Sequence, residues 1–159
     1  MSNTISLPTG AELEALLEQL SGKPCTVAAA SAEPPPDDAF ASVYIDDGDT
    51  PRVVAVCDRA LALSLGAALG LMPVAAAREA LQSGDVPSGM RDGLQETMNI
   101  SAALLCAEDS PHVRLEAMHP SVGEAGEHAV RICNAPSERV DYQVQLTGYD
   151  GGGFRFLRA

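Results

Sequence analysis

The most constraining feature of the sequence is the order in which strand-like and helix-like segments follow one another. After a first segment with helical spacing, alternating and β-branched segments follow, an Ala- and Leu-rich part with helical spacing comes after Cys57, and alternating segments return towards the end. Strands grouped apart from helices are typical of α+β proteins, whereas doubly wound folds alternate the two. We therefore predict an α+β fold with an antiparallel or mixed β-sheet flanked by helices. The predicted strands are 25–30, 40–45, 52–57, 112–118, 129–133, 139–146 and 154–157. The first predicted helix begins after its N-cap Thr9 and ends at Gly22, and the other predicted helices are 59–71, 73–83 and 90–107.

One domain spanning residues 1–159 accounts for the length of the chain. Domains commonly have about 100–150 residues, and a chain of this size buries enough surface to fold without disulfides or metal ions. Hydrophobic residues make up 46% of the sequence, but aromatic residues make up only 4% and Trp is absent. We therefore expect a core built mainly from Ala, Leu and Val.

Acidic residues strongly outnumber basic ones, which excludes several classes of partner. The chain has 22 Asp and Glu against 10 Lys and Arg, a formal net charge of −12, and its only lysine is Lys23. Nucleic acids and anionic lipids bind clustered positive charge, so we expect no nucleic acid and no membrane as a partner. No apolar stretch reaches the length of about 18 residues that a membrane span needs, and the N-terminus lacks the features of a signal peptide. We expect a soluble, cytoplasmic protein.

No group of residues has the spacing of a metal site. The cysteines include no C-x-x-C pair, and the histidines share no ligand spacing, so zinc is not indicated. The segment Asp46-Asp47-Gly48-Asp49 lacks the spaced ligands of an EF-hand and predicts a hairpin turn instead. We expect free, mostly buried thiols and no metal ion or cofactor bound by this chain. The cysteines are Cys25, Cys57, Cys106 and Cys133, and the histidines are His112, His119 and His128.

The predicted helix 90–107 carries the most informative polar face. At about 100° per residue, Glu96 lies about 40° and Asn99 about −20° around the helix from Asp92, so all three point one way. Ala103, one turn beyond Asn99, leaves the polar face open. The apolar side chains that point the opposite way are those of Met90, Leu94, Met98, Leu104 and Leu105. We call Asp92, Glu96 and Asn99 the ridge. A solvated helix face would explain Asp and Glu, but Asn is a mediocre helix former at such a position.

The pattern Asp92-x-x-x-Glu96-x-x-Asn99, followed by Pro120, resembles the signature of the CheC/CheX phosphatases of bacterial chemotaxis, within the CheC/CheX/FliN superfamily. The order of helix, strands, helical segment, motif helix and returning strands is also similar, over most of residues 5–157. The first helix has no Glu-x-x-Asn, so the chain resembles the single-site, CheX-like type. We therefore expect the polar face of the first helix to carry no second site.

The resemblance implies an activity and a role for each residue of the ridge. It implies hydrolysis of the phospho-aspartate of a CheY-like response regulator, with Mg²⁺ held by the partner receiver domain. Asn99 would position the attacking water, and Glu96 would pair with a lysine of the partner. Asp92 would assist docking or act only as a polar helix residue, and Ala103 would complete the partner-binding face.

A second function from another class stays open. A protein of the same fold could be a non-catalytic adaptor that binds a receiver domain or a signalling or motor complex through the same helix or a sheet edge. The two alternatives differ in whether Asn99 takes part in chemistry. A homodimer is also compatible with the sequence.

Overall fold

One six-stranded β-sheet organises the computed structural model, which describes residues 3–159. The α+β class is confirmed, and every strand pair in the sheet is antiparallel. The strands are β1 (Cys25–Ala29), β2 (Phe40–Asp46), β3 (Pro51–Cys57), β4 (Val113–His119), β5 (Glu138–Leu146) and β6 (Gly152–Arg158), in the spatial order β1-β5-β6-β3-β2-β4. The α-helices are α1 (Gly10–Ser21), α2 (Arg59–Leu69), α3 (Val74–Ser83), α4 (Ser88–Ser101) and α5 (Glu127–Asn134), with 3₁₀ turns at Ala102–Leu105 and Gly123–Ala125.

Both faces of the sheet are covered, which explains why β2 is buried on its two sides. Phe40 and Tyr44 point into the larger core, against α1, α2 and α4. Ala41, Val43 and Ile45 point into a smaller core under α5. Successive side chains of a strand face opposite sides of a sheet, so the predicted alternation of this strand is confirmed.

The predicted hairpin turn between β2 and β3 is confirmed. The Oδ1 atom of Asp46 accepts hydrogen bonds from the backbone amides of Gly48 at 2.9 Å and Thr50 at 3.0 Å. The amide of Thr50 and the guanidinium of Arg52 hold the pKa of the Asp46 carboxyl below its usual value. Asp49 adopts a positive φ of 60°, a conformation that Asp tolerates in turns.

The prediction of a strand at 129–133 is wrong, because this segment forms helix α5. Its β-branched and apolar residues suggested a strand, but Ala129, Ile132 and Cys133 are the buried ones. This i, i+3, i+4 spacing is the period of a helix that buries one face. Here the face covers the smaller core. The predicted helix 90–107 is also shorter than expected, since α4 ends at Ser101 and continues as a 3₁₀ turn.

Ion pairs complete the outer face of the sheet beside α5. Arg139 and Asp141 on β5 approach to 2.6 Å, and Arg155 on β6 lies 3.2 Å from Asp58, which precedes α2. Arg155 also lies 3.6 Å from Asp141, whose side chain is only 6% exposed. These pairs satisfy charges that would be costly to bury alone. Among the described helices, none has the length and apolar character to cross a membrane.

Candidate functional site

The helix that carries the ridge lies in direct backbone contact with its neighbour. Gly66 of α2 faces the carbonyl oxygen of Met90, and a Cβ atom added to Gly66 would collide with that oxygen. A Cβ added to Gly93 of α4 would lie 2.6 Å from the carbonyl oxygen of Gly66. Glycines at both positions let the two backbones approach closely. The small residues of α2 therefore allow close packing against α4.

A buried tyrosine ties the end of α4 to the sheet. The hydroxyl of Tyr44 donates a 2.6 Å hydrogen bond to the carbonyl oxygen of Met98. The amide of Ala102 donates to the carbonyls of Asn99 and Ile100 rather than to that of Met98, so the helix tightens into a 3₁₀ turn directly after the ridge. Burial raises the pKa of Tyr44, which keeps its hydroxyl protonated and able to donate.

The ridge residues are exposed together on the solvent side of α4. Asp92, Glu96 and Asn99 are all exposed, whereas Leu94 and Met98 on the opposite side are 1% exposed. Helical spacing had predicted this division. Within residues 3–159, no side-chain hydrogen bond or ion pair involves Asp92, Glu96 or Asn99. Their polar groups are therefore oriented by the helix alone and are available to a partner.

One further residue shares the surface of the ridge. Gln95 lines a shallow depression of about 380 Å³ with Asp92, Glu96 and Asn99. The motif does not include Gln95, but its angle of about −60° from Asp92 on a helix would have placed it on the same face. Ala103 is exposed one turn beyond Asn99. The described residues that line this depression all belong to α4, so the shape suits the surface of another protein better than an enclosed small molecule.

The chemistry available on the ridge is that of carboxylates and amides. Carboxylates accept hydrogen bonds and attract cations, and an amide both donates and accepts. Among the described residues, no group of three or more His, Cys, Asp or Glu side chains is arranged to hold a metal ion.

The four cysteines are free, as predicted from the sequence. Cys25, Cys57 and Cys133 are buried and Cys106 is half-buried. Burial raises the pKa of the Cys25 thiol and of the Cys133 thiol to about 11. A protonated, buried thiol is a poor nucleophile, so these groups are structural.

The sequence matches no family model and no curated protein. The fold, in contrast, is similar to solved structures that contain FliM or FliY. A chain of the FliM–SpeE complex from H. pylori has a TM-score of 0.61 at 9% identity, over 94% of this chain and 80% of that one. A chain of the FliG–FliM complex from H. pylori has a TM-score of 0.55 at 9% identity, over 94% and 85% of the two chains.

A third solved structure extends the similarity to another protein. FliY from Thermotoga maritima has a TM-score of 0.50 at 8% identity, over 92% of this chain and 82% of its own. At such low identity the similarity is one of fold. The α+β architecture and the antiparallel sheet agree with these neighbours, and the chain therefore has the fold of the FliM middle domain and of FliY, as expected from the resemblance to the CheC/CheX/FliN superfamily.

Proposed function

We propose that this protein binds a CheY-like receiver domain through the ridge on α4 and hydrolyses its aspartyl phosphate. The strongest support for this proposal is the exposure of the ridge on a firmly held helix. Asp92, Glu96 and Asn99 are exposed in a row on a helix whose backbone is held by α2 and by Tyr44, and within residues 3–159 their side chains have no polar partner. Rigid presentation of this kind lowers the entropy that is lost on docking.

Asn99 would act by positioning water. Its amide can accept a hydrogen bond from the attacking water and donate one nearby, which directs the oxygen lone pair towards phosphorus. The new P–O bond forms as the bond to the aspartyl oxygen breaks, releasing inorganic phosphate and the free carboxylate. Phosphoryl transfer needs positioning and charge neutralisation more than covalent help. The Mg²⁺ belongs to the receiver domain, and this chain supplies no ligand to it.

Glu96 and Asp92 would act in docking. A carboxylate close to the phosphoryl group would be repelled, so Glu96, one turn before Asn99, suits pairing with a lysine of the partner rather than the role of a general base. Asp92 adds a second carboxylate further from Asn99. Ala103 leaves space beyond the amide for the surface of the partner.

A non-catalytic adaptor is the second candidate. Its support is that the structural neighbours include FliM in complexes with FliG and with SpeE. In this alternative the chain would bind a receiver or a motor component without chemistry at Asn99. Both roles would operate in the cytoplasm.

The first prediction separates the two candidates by alanine substitution on the ridge. Asn99→Ala is expected to keep receiver binding and to lower phosphate release at least about tenfold, because positioning of water acts chiefly in the transition state. Glu96→Ala is expected to weaken binding itself, because it removes a charge from the interface. Phosphate release is measured on a purified phosphorylated receiver in Mg²⁺, and binding is measured by titration.

Two exposed residues of α3 provide matched controls. Gln82→Ala removes an amide and Glu79→Ala removes a carboxylate away from the ridge, and both variants should behave as the wild type. Unchanged release by folded Asn99→Ala, on a receiver that responds to the wild type, would exclude the phosphatase and leave the adaptor. Unchanged binding of both ridge variants would exclude the ridge as the interface.

A further inference from the structure

A second pocket is lined by basic and neutral residues. The pocket lies beside the first turn of α4 and has a volume of about 270 Å³. It is lined by Arg59, Arg91 and His119, with Phe40 and Met118 as apolar walls. No Asp or Glu is among the described residues that line it. In a chain with 22 acidic and 10 basic residues, a pocket with only cationic and neutral walls is unusual.

Neither arginine of this pocket pairs with a carboxylate of residues 3–159. Of the nine arginines in the sequence, six form ion pairs with Asp or Glu in the described part of the chain. Two of the other three, Arg59 and Arg91, line the same pocket. Asp58, which adjoins Arg59 in sequence, is bound to Arg155 and to the amide of Gly153. The guanidinium of Arg59 is held over the ring of Phe40, with Cζ 4.9 Å from the ring centroid.

Helix stability does not explain these two positions. Arg59 is the first residue of α2 and Arg91 is the fourth residue of α4, and neither helix has an acidic residue in its first turn. The positive end of the helix dipole favours acidic side chains there and disfavours arginine. Two guanidinium groups near two positive helix ends are, in contrast, a favourable environment for a bound anion.

We propose that this pocket binds the phosphate group of a small phosphate monoester. A phosphate monoester carries a charge of about −1.5 to −2 at neutral pH, which matches two guanidinium groups, and each guanidinium can donate two parallel hydrogen bonds to it. The ring nitrogens of His119 supply a further donor. The apolar surfaces of Met118 and Val86, which also line the pocket, fit an organic substituent that inorganic phosphate lacks. This site is independent of the ridge and of the proposed phosphatase activity.

Calorimetric titration of the full chain with phenyl phosphate tests the proposal. Phenyl phosphate should bind saturably and more tightly than inorganic phosphate, and phenol should not bind. Arg59→Gln and Arg91→Gln should each weaken binding at least about tenfold. Arg59→Lys and Arg91→Lys, which keep the charge but lose the planar fork, should weaken it less. Arg131→Gln removes an exposed arginine of α5 that forms no ion pair among residues 3–159, and it should leave the affinity unchanged.

Several results would overturn the assignment. They are no saturable binding up to about 10 mM phenyl phosphate, equal affinity for inorganic phosphate, or an equal loss in Arg131→Gln and the pocket variants. Circular dichroism of each variant establishes that it is folded. Since Arg59 stacks on Phe40, the lysine variants and Arg91→Gln keep the test valid if Arg59→Gln unfolds.

Discussion

At the scale of single residues, the position of the ridge depends on the absence of a side chain at Gly66 and Gly93. Gly66 and Gly93 bring the backbones of α2 and α4 together, and the atoms that a new Cβ would meet include backbone carbonyl oxygens. A side chain can rotate away from an added methyl group, but a backbone cannot. The spacing between α2 and α4 is therefore set at these two positions.

We predict that Gly93→Ala lowers the free energy of unfolding by about 1–3 kcal/mol, because the overlap outweighs the better helix propensity of Ala. Gly123→Ala is the matched control, since the nearest atom to its added Cβ would be 3.9 Å away, and it should be neutral or slightly stabilising. Urea unfolding measures both variants. A more stable Gly93→Ala would show that the helices can separate without cost.

At the scale of elements, the polar face of helix α1 binds the backbone of strand β1. Among the described strands, β1 pairs with β5 alone and lies at the edge of the sheet, so half of its amides face away from the sheet. Glu18 accepts a hydrogen bond from the amide of Cys25 at 3.0 Å, and Glu14 accepts one from Val27 at 3.0 Å. These carboxylates occupy the edge that another strand could otherwise extend.

We predict that Glu14→Ala and Glu18→Ala each lower the free energy of unfolding by about 1 kcal/mol, and that the double variant self-associates at high concentration. Glu14→Gln and Glu18→Gln keep an acceptor oxygen and should change less. Gln19→Ala, an exposed site on the same helix, is the control. Urea unfolding and sedimentation velocity provide the measurements, and a double variant that stays monomeric and equally stable would argue against edge protection.

At the scale of the whole molecule, the arrangement of the two helices sets the expected stoichiometry. The ridge occurs on α4, while Glu14 and Glu18 of α1 are engaged with β1. We therefore predict that a titration with a receiver domain ends at one receiver per chain. A plateau at two receivers per chain would revive a second site on α1.

The stability of the molecule should also decrease at alkaline pH. Burial raises the pKa of Cys25 and of Cys133 from 9.0 to about 11, and burial raises that of Cys57 as well. Between about pH 9 and 11 the unfolded chain has lost these protons while the folded chain keeps them, so the free energy of unfolding falls as the pH rises.

Salt distinguishes this effect from the repulsion among the acidic residues. Added salt screens repulsion between surface charges but leaves the desolvation of buried thiols largely unchanged. Urea unfolding from pH 7 to about pH 10.5 should therefore show the alkaline loss at both low and high salt. A loss that disappears at high salt would assign it to surface charge alone.

Local patterns in the sequence were enough to predict several elements in which buried and exposed side chains alternate regularly. The alternation in β2, the turn at Asp46 and the division of α4 into an apolar side and the ridge all follow from side chains a few residues apart. The α+β class follows in the same way, from the grouping of such elements along the chain.

Tertiary structure alone decided the features that join distant parts of the chain. The helical state of 129–133 became clear only where Ala129, Ile132 and Cys133 met the outer face of the sheet. Three other features also depend on elements that are brought together by folding. They are the hydrogen bonds from β1 to Glu14 and Glu18, the contact of Gly66 with Gly93 and the pocket shared by Arg59 and Arg91. Periodicity reports which face of an element is apolar, but not which other element covers it, because that choice is made by packing across the whole core.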